Sequence, residues 1–433
     1  MVGQRSGAVG PKGSFSLGEL RRSNLWKAIG PGILVACAAV GGSHLVWSTR
    51  AGAEYGWSLA GLILLANLFK FPFFLYGQRY TAATGESLLA GYYRRGVSYV
   101  YIFLGVNILT GTINIAGVAM LTGALLAGYG LSGVEIRYLT VAILLICMAM
   151  ILLGHYQLLD SVAKVVVIAL SLTTFVALGL AFAKGPVAPP GFVGPSPWTW
   201  AGFPFLIILL GWMPAPVDLS AWSSLWMFSR RQQTGHFATT RETSIDFYLG
   251  YIMAVVLAIV FVALGKMVMF GSGEVFSDSG IAFSNQLVTL YSANIGDWSR
   301  PLILSAAFCT MFSTTVTCVD GYPRSLAACC TLVADSSARR FQQIHQVWIV
   351  FSVAMASIIV LFFVKNLIQL LTFAAVISFI TSPILAYINL RVMTGDNVPA
   401  ADRPGVLMKM LSWTGLLFFV IMSIGFLYVK LIH

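Results

Sequence analysis

"AAVGGSHLVWSTR", residues 38–50, decides the fold. It begins with small apolar residues, as a membrane helix does. Then Gly41, Gly42 and Ser43 arrive together, and His44 follows. Helix propensity falls sharply at a glycine pair, and a polar ring inside a bilayer needs a partner or a task. The stretch reads as a membrane helix broken in its middle, with a polar residue set at the break.

The rest of the chain supplies the membrane context. Of 433 residues, 58% are hydrophobic and 9% are charged, against roughly a quarter charged in a soluble protein. Residues 1–27 are polar and basic, and the first apolar run leads into a full span, so no cleavable signal peptide is expected. Cys37, Cys147, Cys309, Cys318, Cys329 and Cys330 show no metal-ligand spacing. Four fall in apolar stretches, Cys329 and Cys330 read as part of a basic loop, and ordinary packing is expected for all six.

A span needs about 20 mostly apolar residues. The chain predicts eleven, near 28–50, 57–78, 98–127, 136–154, 160–184, 203–227, 246–270, 299–319, 344–364, 366–390 and 407–430. The expected organisation is a tail (1–27), two five-helix halves (28–184 and 203–390) and a last helix (407–433). An odd number puts the termini on opposite sides. Most of the 26 Lys and Arg fall on one side: in the tail, after helix 2 (Arg79, Arg94, Arg95), after helix 6 (Arg230, Arg231, Arg241), after helix 8 (Arg324, Arg339, Arg340) and after helix 10 (Arg391, Arg403, Lys409). That side is cytoplasmic by the positive-inside rule. The N-terminus is therefore expected inside and the C-terminus outside, in a bacterial inner membrane. The net charge of +11 is a topology signal, and nucleic acid is excluded as a partner.

Helix 6, "FPFLIILLGWMPAPVDLSAWSSLW", carries Pro214 and Pro216 near its middle. Proline removes an amide donor and clashes with the preceding turn. In lipid the freed backbone groups must find partners in protein or in a water-filled cavity. Helices 1 and 6 each open one half, and interrupted segments at corresponding places point to a secondary transporter with its site at the midplane. Gly41, Gly42, Ser43, His44, Met213, Ala215 and Asp218 are the candidate binding residues. The second half of helix 1 would offer amides near Ser43 and His44, and the first half of helix 6 would offer carbonyls near Met213. Lys70 and Asp218 are ionisable at membrane depth, and Asn67 and Asn114 are polar there. Asp218 is expected to pair with Lys70 or with His44, because buried charge is costly alone. His44, Met213 and Asp218 are candidate metal ligands, with backbone-bonded histidine and core methionine as the plainer alternatives.

Several segments resemble the NRAMP family of proton-coupled divalent-metal transporters. "GPGILVACAAVGGSH" (30–44) resembles its helix 1 opening, "STRAGAEYGWSLAGLILLANL" (48–68) its helix 1–2 segment, and "TAATGESLLAGY" (81–92) the following loop. "WMPAP" (212–216) falls at its Met-Pro-His motif, and "LLTFAAVISFITSPILAYI" (370–388) resembles its helix 10. The resemblance implies an all-α, LeuT-type 5+5 inverted repeat with one extra helix. The departures lie at the site. The family's Asp-Pro-Gly-Asn metal-binding motif reads Gly41, Gly42, Ser43, His44; its helix 6 His is Ala215; its helix 3 Asp and Glu align with Asn114 and Gly117; and its helix 10 Gln aligns with Ala375.

Hard divalent ions want carboxylate oxygens and softer ones nitrogen or sulfur. His44, Met213 and Asp218 would make a rebuilt metal site. A Gly-Gly-Ser helix start with Lys70 nearby would instead suit a small organic or anionic solute. The leading expectation is a secondary transporter of a divalent metal with an altered site; the alternative is transport of a small organic solute without metal. Proton coupling would fall to His44, to Asp218, or to the polar residues Lys70 and Asn114 around it. Ser43, His44 and Asp218 superficially suggest a hydrolase triad, but adjacent helical residues point about 100° apart, and no HExxH, GxSxG or phosphate-loop pattern occurs. No enzyme activity and no cofactor are expected. The partners are the transported solute and the lipid bilayer, and a single chain suffices.

Overall fold

The computed structural model describes residues 25–432 apart from 132, 154–155, 275, 278–279, 335–337 and 365. Most of the expected cytoplasmic tail, residues 1–24, lies outside the described residues. The described chain is helical throughout. A short α1 (Leu25–Ala28) leads to the first broken span, α2 (Pro31–Ala39), a π-helical turn (Ser43–Ser48) and α3 (Thr49–Tyr55). Then come α4 (Ala60–Thr84), α5 (Leu88–Arg95), α6 (Val97–Ala127), α7 (Ile136–Leu152) and α8 (Tyr156–Lys184). The second broken span is α9 (Phe203–Trp212) and α10 (Leu219–Thr234). It is followed by α11 (Thr240–Val268), α12 (Gly280–Ile295), α13 (Arg300–Val333), α14 (Ala338–Ile358), α15 (Leu367–Met393) and α16 (Val406–Ile432).

Seven of the described helices are long and apolar enough to cross a membrane, and α2 with the Ser43–Tyr55 segment makes an eighth span bent by 45°. Shorter apolar helices lie at Ile136–Leu152, Ile168–Lys184 and Phe203–Trp212. The outer faces fit lipid. On α16, Trp413, Leu417, Ile421, Ile424, Tyr428 and Leu431 are all exposed and recur at helical spacing. A contiguous apolar stripe of this size on a soluble monomer would be a liability; against acyl chains it is the expected surface.

Two differences from the sequence reading have physical causes. Helix 8 was expected to stop at 319, yet α13 runs on to Val333. Asp320 and Arg324 looked like loop charges, but they are one turn apart and paired at 2.6 Å, which lets the helix continue. Cys329 and Cys330 therefore lie on a helix and not in a basic loop; Cys329 is buried, and none of the six cysteines forms a disulfide. Second, α12 forms between the seventh and eighth expected spans, where no helix was expected. Its Phe283, Leu287, Val288, Leu290 and Tyr291 are buried against α6, α8 and α13. Helix 6, read as interrupted at its proline pair, is two helices separated by an unwound segment, with a cis Met213–Pro214 bond.

The core joins the two broken spans to the longer helices around them. α11 packs along both α2 and α3, α10 lies against α4, α9 against α15, and α13 against α6, α8 and α14. The start of α2 is held from a distant part of the chain. Asp246 on α11 accepts the Gly30 amide at 3.0 Å and the Gly32 amide at 2.5 Å. Amides in a first helical turn have no partner within the helix, and no side chain of α2 itself caps this one. Asp246→Ala should therefore lower stability by about 1–2 kcal/mol, the usual size of a lost cap, seen as a lower unfolding midpoint of the purified protein. Asp246→Asn, which keeps an acceptor, should fall between. An unchanged midpoint in Asp246→Ala would rule out this anchor.

Candidate functional site

The glycine pair stands where two other elements press against the first break. A Cβ on Gly41 would lie 2.9 Å from Thr314 Oγ1 of α13, and one on Gly42 would lie 2.7 Å from the Trp212 ring at the end of α9. Residues without a Cβ allow this approach. Both breaks and α13 thus meet at one point, and a narrow cavity remains between them. About 30 Å³ of it accepts the centre of a water-sized sphere, which is room for a bare ion or a few atoms.

The cavity wall draws Gly42 and Ser43 from the first break, and Trp212, Ala215 and Pro216 from the second. Asn114 comes from α6, and Thr314, Cys318 and Tyr322 from α13. A hydrogen-bond frame fixes the wall. Trp212 Nε1 donates to Asn114 Oδ1 at 2.9 Å, and Asn114 Nδ2 donates to the Tyr322 hydroxyl at 2.9 Å and to Ser378 Oγ at 3.1 Å. One amide thereby orients two aromatic walls from different helices. Thr314 Oγ1 donates to the Cys37 carbonyl at 3.1 Å, tying α13 to α2 just before the break. The Tyr322 ring meets Trp222 edge to face at 4.5 Å.

His44 takes no part in this wall. Its Nε2 donates to the Ala254 carbonyl of α11 at 2.8 Å, and its Nδ1 lies 2.7 Å from Ser43 Oγ and 3.1 Å from the Ala39 carbonyl. Ser43 Oγ donates to that same carbonyl at 2.5 Å. His44 and Ser43 thus satisfy the backbone freed at the end of α2 and fasten it to α11. The plainer reading of the histidine describes its place. Met213 is buried and is absent from the cavity wall.

The two charges sit behind the wall. Asp218 is buried at the start of α10. Its Oδ2 accepts from Thr110 Oγ1 at 3.5 Å, and its Oδ1 has no hydrogen-bond partner among the described residues. Tyr322 and Lys70 are its electrostatic neighbours. Asp218 was expected to pair with Lys70 or with His44. Instead Lys70 Nζ donates to the carbonyls of Leu210, Gly211 and Ala215 at 2.8, 2.9 and 3.0 Å. The carbonyls expected to lie open at the end of α9 are already engaged.

Of the residues read from the sequence, Gly42, Ser43, Asn114 and Ala215 come together on the cavity, and Gly41 backs it against Thr314. His44, Met213, Asp218 and Lys70 lie outside its wall, so the expected His44–Met213–Asp218 set does not converge there. Among the described residues, no group of three or more His, Cys, Asp and Glu could hold a metal ion. Gly117 packs beside Leu371 and Ala374, and Ala375 offers its backbone to Gly211. Sequence reasoning missed Trp212, Thr314, Cys318 and Tyr322. A signal existed in "STTVTC" (313–318), an unusually polar run within an apolar stretch. It also missed Asp320, a buried carboxylate that accepts from Arg324 and from Trp226 Nε1.

Comparison with known proteins agrees with this architecture. Residues 32–429 match the family model described as natural resistance-associated macrophage protein-like (Nramp). An uncharacterised protein of Pasteurella multocida is 40% identical over 375 residues, covering 86% of each chain. Among solved structures, a mutant of the Eremococcus coleocola manganese transporter superposes with a TM-score of 0.64 at 15% identity, covering 92% of this chain and 85% of that one. MhsT in complex with L-phenylalanine superposes with a TM-score of 0.61 at 14% identity, covering 92% and 97%. A Na+-coupled sialic acid symporter gives 0.60 at 14%, covering 92% and 88%. These are LeuT-fold transporters, and the fold is theirs. The chain is an integral membrane protein that belongs to the Nramp family of metal-ion transporters.

Proposed function

We propose that this chain is a secondary-active transporter working by alternating access. The two halves, 28–184 and 203–390, would move against each other around the cavity between the broken spans. The N-terminus would face the cytoplasm of a bacterial cell and the C-terminus the outside. The observation that carries this reading is the junction itself: both breaks and α13 contribute to one small cavity. Unwound backbone at membrane depth is tolerated where it lines such a cavity.

The substrate of this reading is a divalent metal ion, held differently from the family pattern. The cavity has room for a bare ion, and the solved Eremococcus coleocola relative is a manganese transporter. The donors at hand are the hydroxyls of Ser43, Thr314 and Tyr322, the Asn114 amide oxygen and the Cys318 sulfur. None of these is a carboxylate, so the balancing negative charge would come from Asp218, one layer behind. A mixed oxygen and sulfur set favours softer divalent ions over magnesium. A second reading, transport of a small uncharged or zwitterionic organic solute, is favoured by the neutral and aromatic character of the wall. It would require the cavity to open further than its present volume.

Uptake into liposomes carrying the purified protein tests these readings. Manganese or cadmium should accumulate faster than in protein-free vesicles, and magnesium should not. Asp218→Asn should slow metal uptake by about tenfold or more if it supplies the balancing charge. His44→Gln should stay close to the wild-type rate, because the ring lies off the cavity wall. Absence of both binding and flux for every metal tried would leave the organic-solute reading standing alone.

The glycine pair gives an independent check on where the solute passes. Gly42→Ala places a methyl against the Trp212 ring, at the wall itself. It should abolish uptake of whatever solute is carried while the protein still elutes as a single monodisperse species. Full-rate uptake by a folded Gly42→Ala protein would move the pathway away from the break.

A further inference from the structure

α9 ends at Trp212, deep in the protein, and the last carbonyls of any helix have no partner within it. They also carry the partial negative charge of the helix end. Here two of them, Leu210 O and Gly211 O, converge with Ala215 O from the unwound segment on one point. Such a ring of backbone carbonyls is the kind of shell that replaces the water around a small monovalent cation. The point is occupied from outside the broken span by Nζ of Lys70, carried on α4, at 2.8, 2.9 and 3.0 Å from the three oxygens.

The geometry fixes the state of that nitrogen. Each acceptor is a carbonyl and can only accept. Three carbonyls require three N–H donors, and a lysine has three only as an ammonium. Lys70 is fully buried, so no water shares its charge. The three carbonyls and the nearby Asp218 are what offset it. A neutral amide donates two hydrogen bonds and a hydroxyl one, so neither would meet all three carbonyls; the chain places a full positive charge here.

We propose that Lys70 is a tethered cation. Its ammonium fills a monovalent-cation site formed by the carbonyls of Leu210, Gly211 and Ala215, so the positive charge at the second break is part of the chain and no inorganic ion is needed there. Removing the side chain would expose the carbonyl shell and convert a built-in charge into a binding site for a small cation such as sodium or methylammonium. The inference concerns the break and not the cargo, so it stands or falls separately from the identity of the substrate.

The test is thermal unfolding of the purified full chain in detergent, followed by tryptophan fluorescence, in choline, sodium, potassium and methylammonium chloride at equal ionic strength. The wild type should unfold at the same temperature in all four. Lys70→Ala should unfold several degrees lower in choline, and sodium or methylammonium should restore much of the loss in a saturable way. A lysine that merely packs would give the drop without the recovery. A loss that no cation restores, or a variant as stable as the wild type in choline, overturns the proposal. Folding of Lys70→Ala only in sodium or methylammonium supports it in stronger form. If the variant folds in no salt, the wild type decides: a saturable rise of its midpoint with sodium or potassium overturns the tethered cation, and the absence of any rise supports it.

Discussion

Three hydrogen bonds from the Lys70 ammonium to the carbonyls of Leu210, Gly211 and Ala215 hold the second broken span in place. A helix cannot simply stop inside a bilayer, because each backbone group left without a partner there costs several kcal/mol. Once α9 is ended in this way, the Trp212 ring at its tip is free to reach Gly42. Its indole nitrogen meets Asn114, and Asn114 in turn orients Tyr322. The first break follows the same rule with different groups, as Ser43 Oγ turns back onto the Ala39 carbonyl and His44 Nε2 reaches the Ala254 carbonyl. Each break is sealed by polar side chains, and the cavity is the space left between the two seals.

This arrangement separates charge from the cavity. The wall is hydroxyl, amide, sulfur and aromatic, while Lys70 and Asp218 stand one layer behind it. A charge behind a wall still sets the potential within, because little water intervenes to screen it. It does so without offering a ligand atom. At the first break Gly41, without a Cβ, makes room for Thr314 of α13.

Much of the fold was legible in the sequence, because its strongest signals are local. Long apolar runs, the Gly41–Gly42 pair and the Pro214–Pro216 pair mark spans and breaks through propensity alone. Side chains on the cavity were legible only where they adjoin a break, as with Ser43 and Ala215, or interrupt an apolar helix, as with Asn114. The partner of Lys70 could not be read, because backbone carbonyls leave no mark in a sequence; the search for a charged partner pointed to Asp218 instead. The length of α13 was hidden because Asp320 and Arg324 neutralise each other one turn apart, and residues that look like loop charges in isolation become helical as a pair. His44 misled for a related reason. A histidine at a break looks like a ligand until the Ala254 carbonyl on a distant helix is seen to take its Nε2.

The central claim is that the cavity between the breaks is the pathway, reached in turn from each side of the membrane. Cys318 lines that cavity and provides a native probe. In a variant that retains Cys318 as its sole cysteine, reconstituted in one orientation, modification by a membrane-impermeant thiol reagent can be followed from each side separately. The account predicts labelling from both sides, slowed by the transported solute. Labelling from one side only, or none from either side in protein that still catalyses uptake, would contradict it.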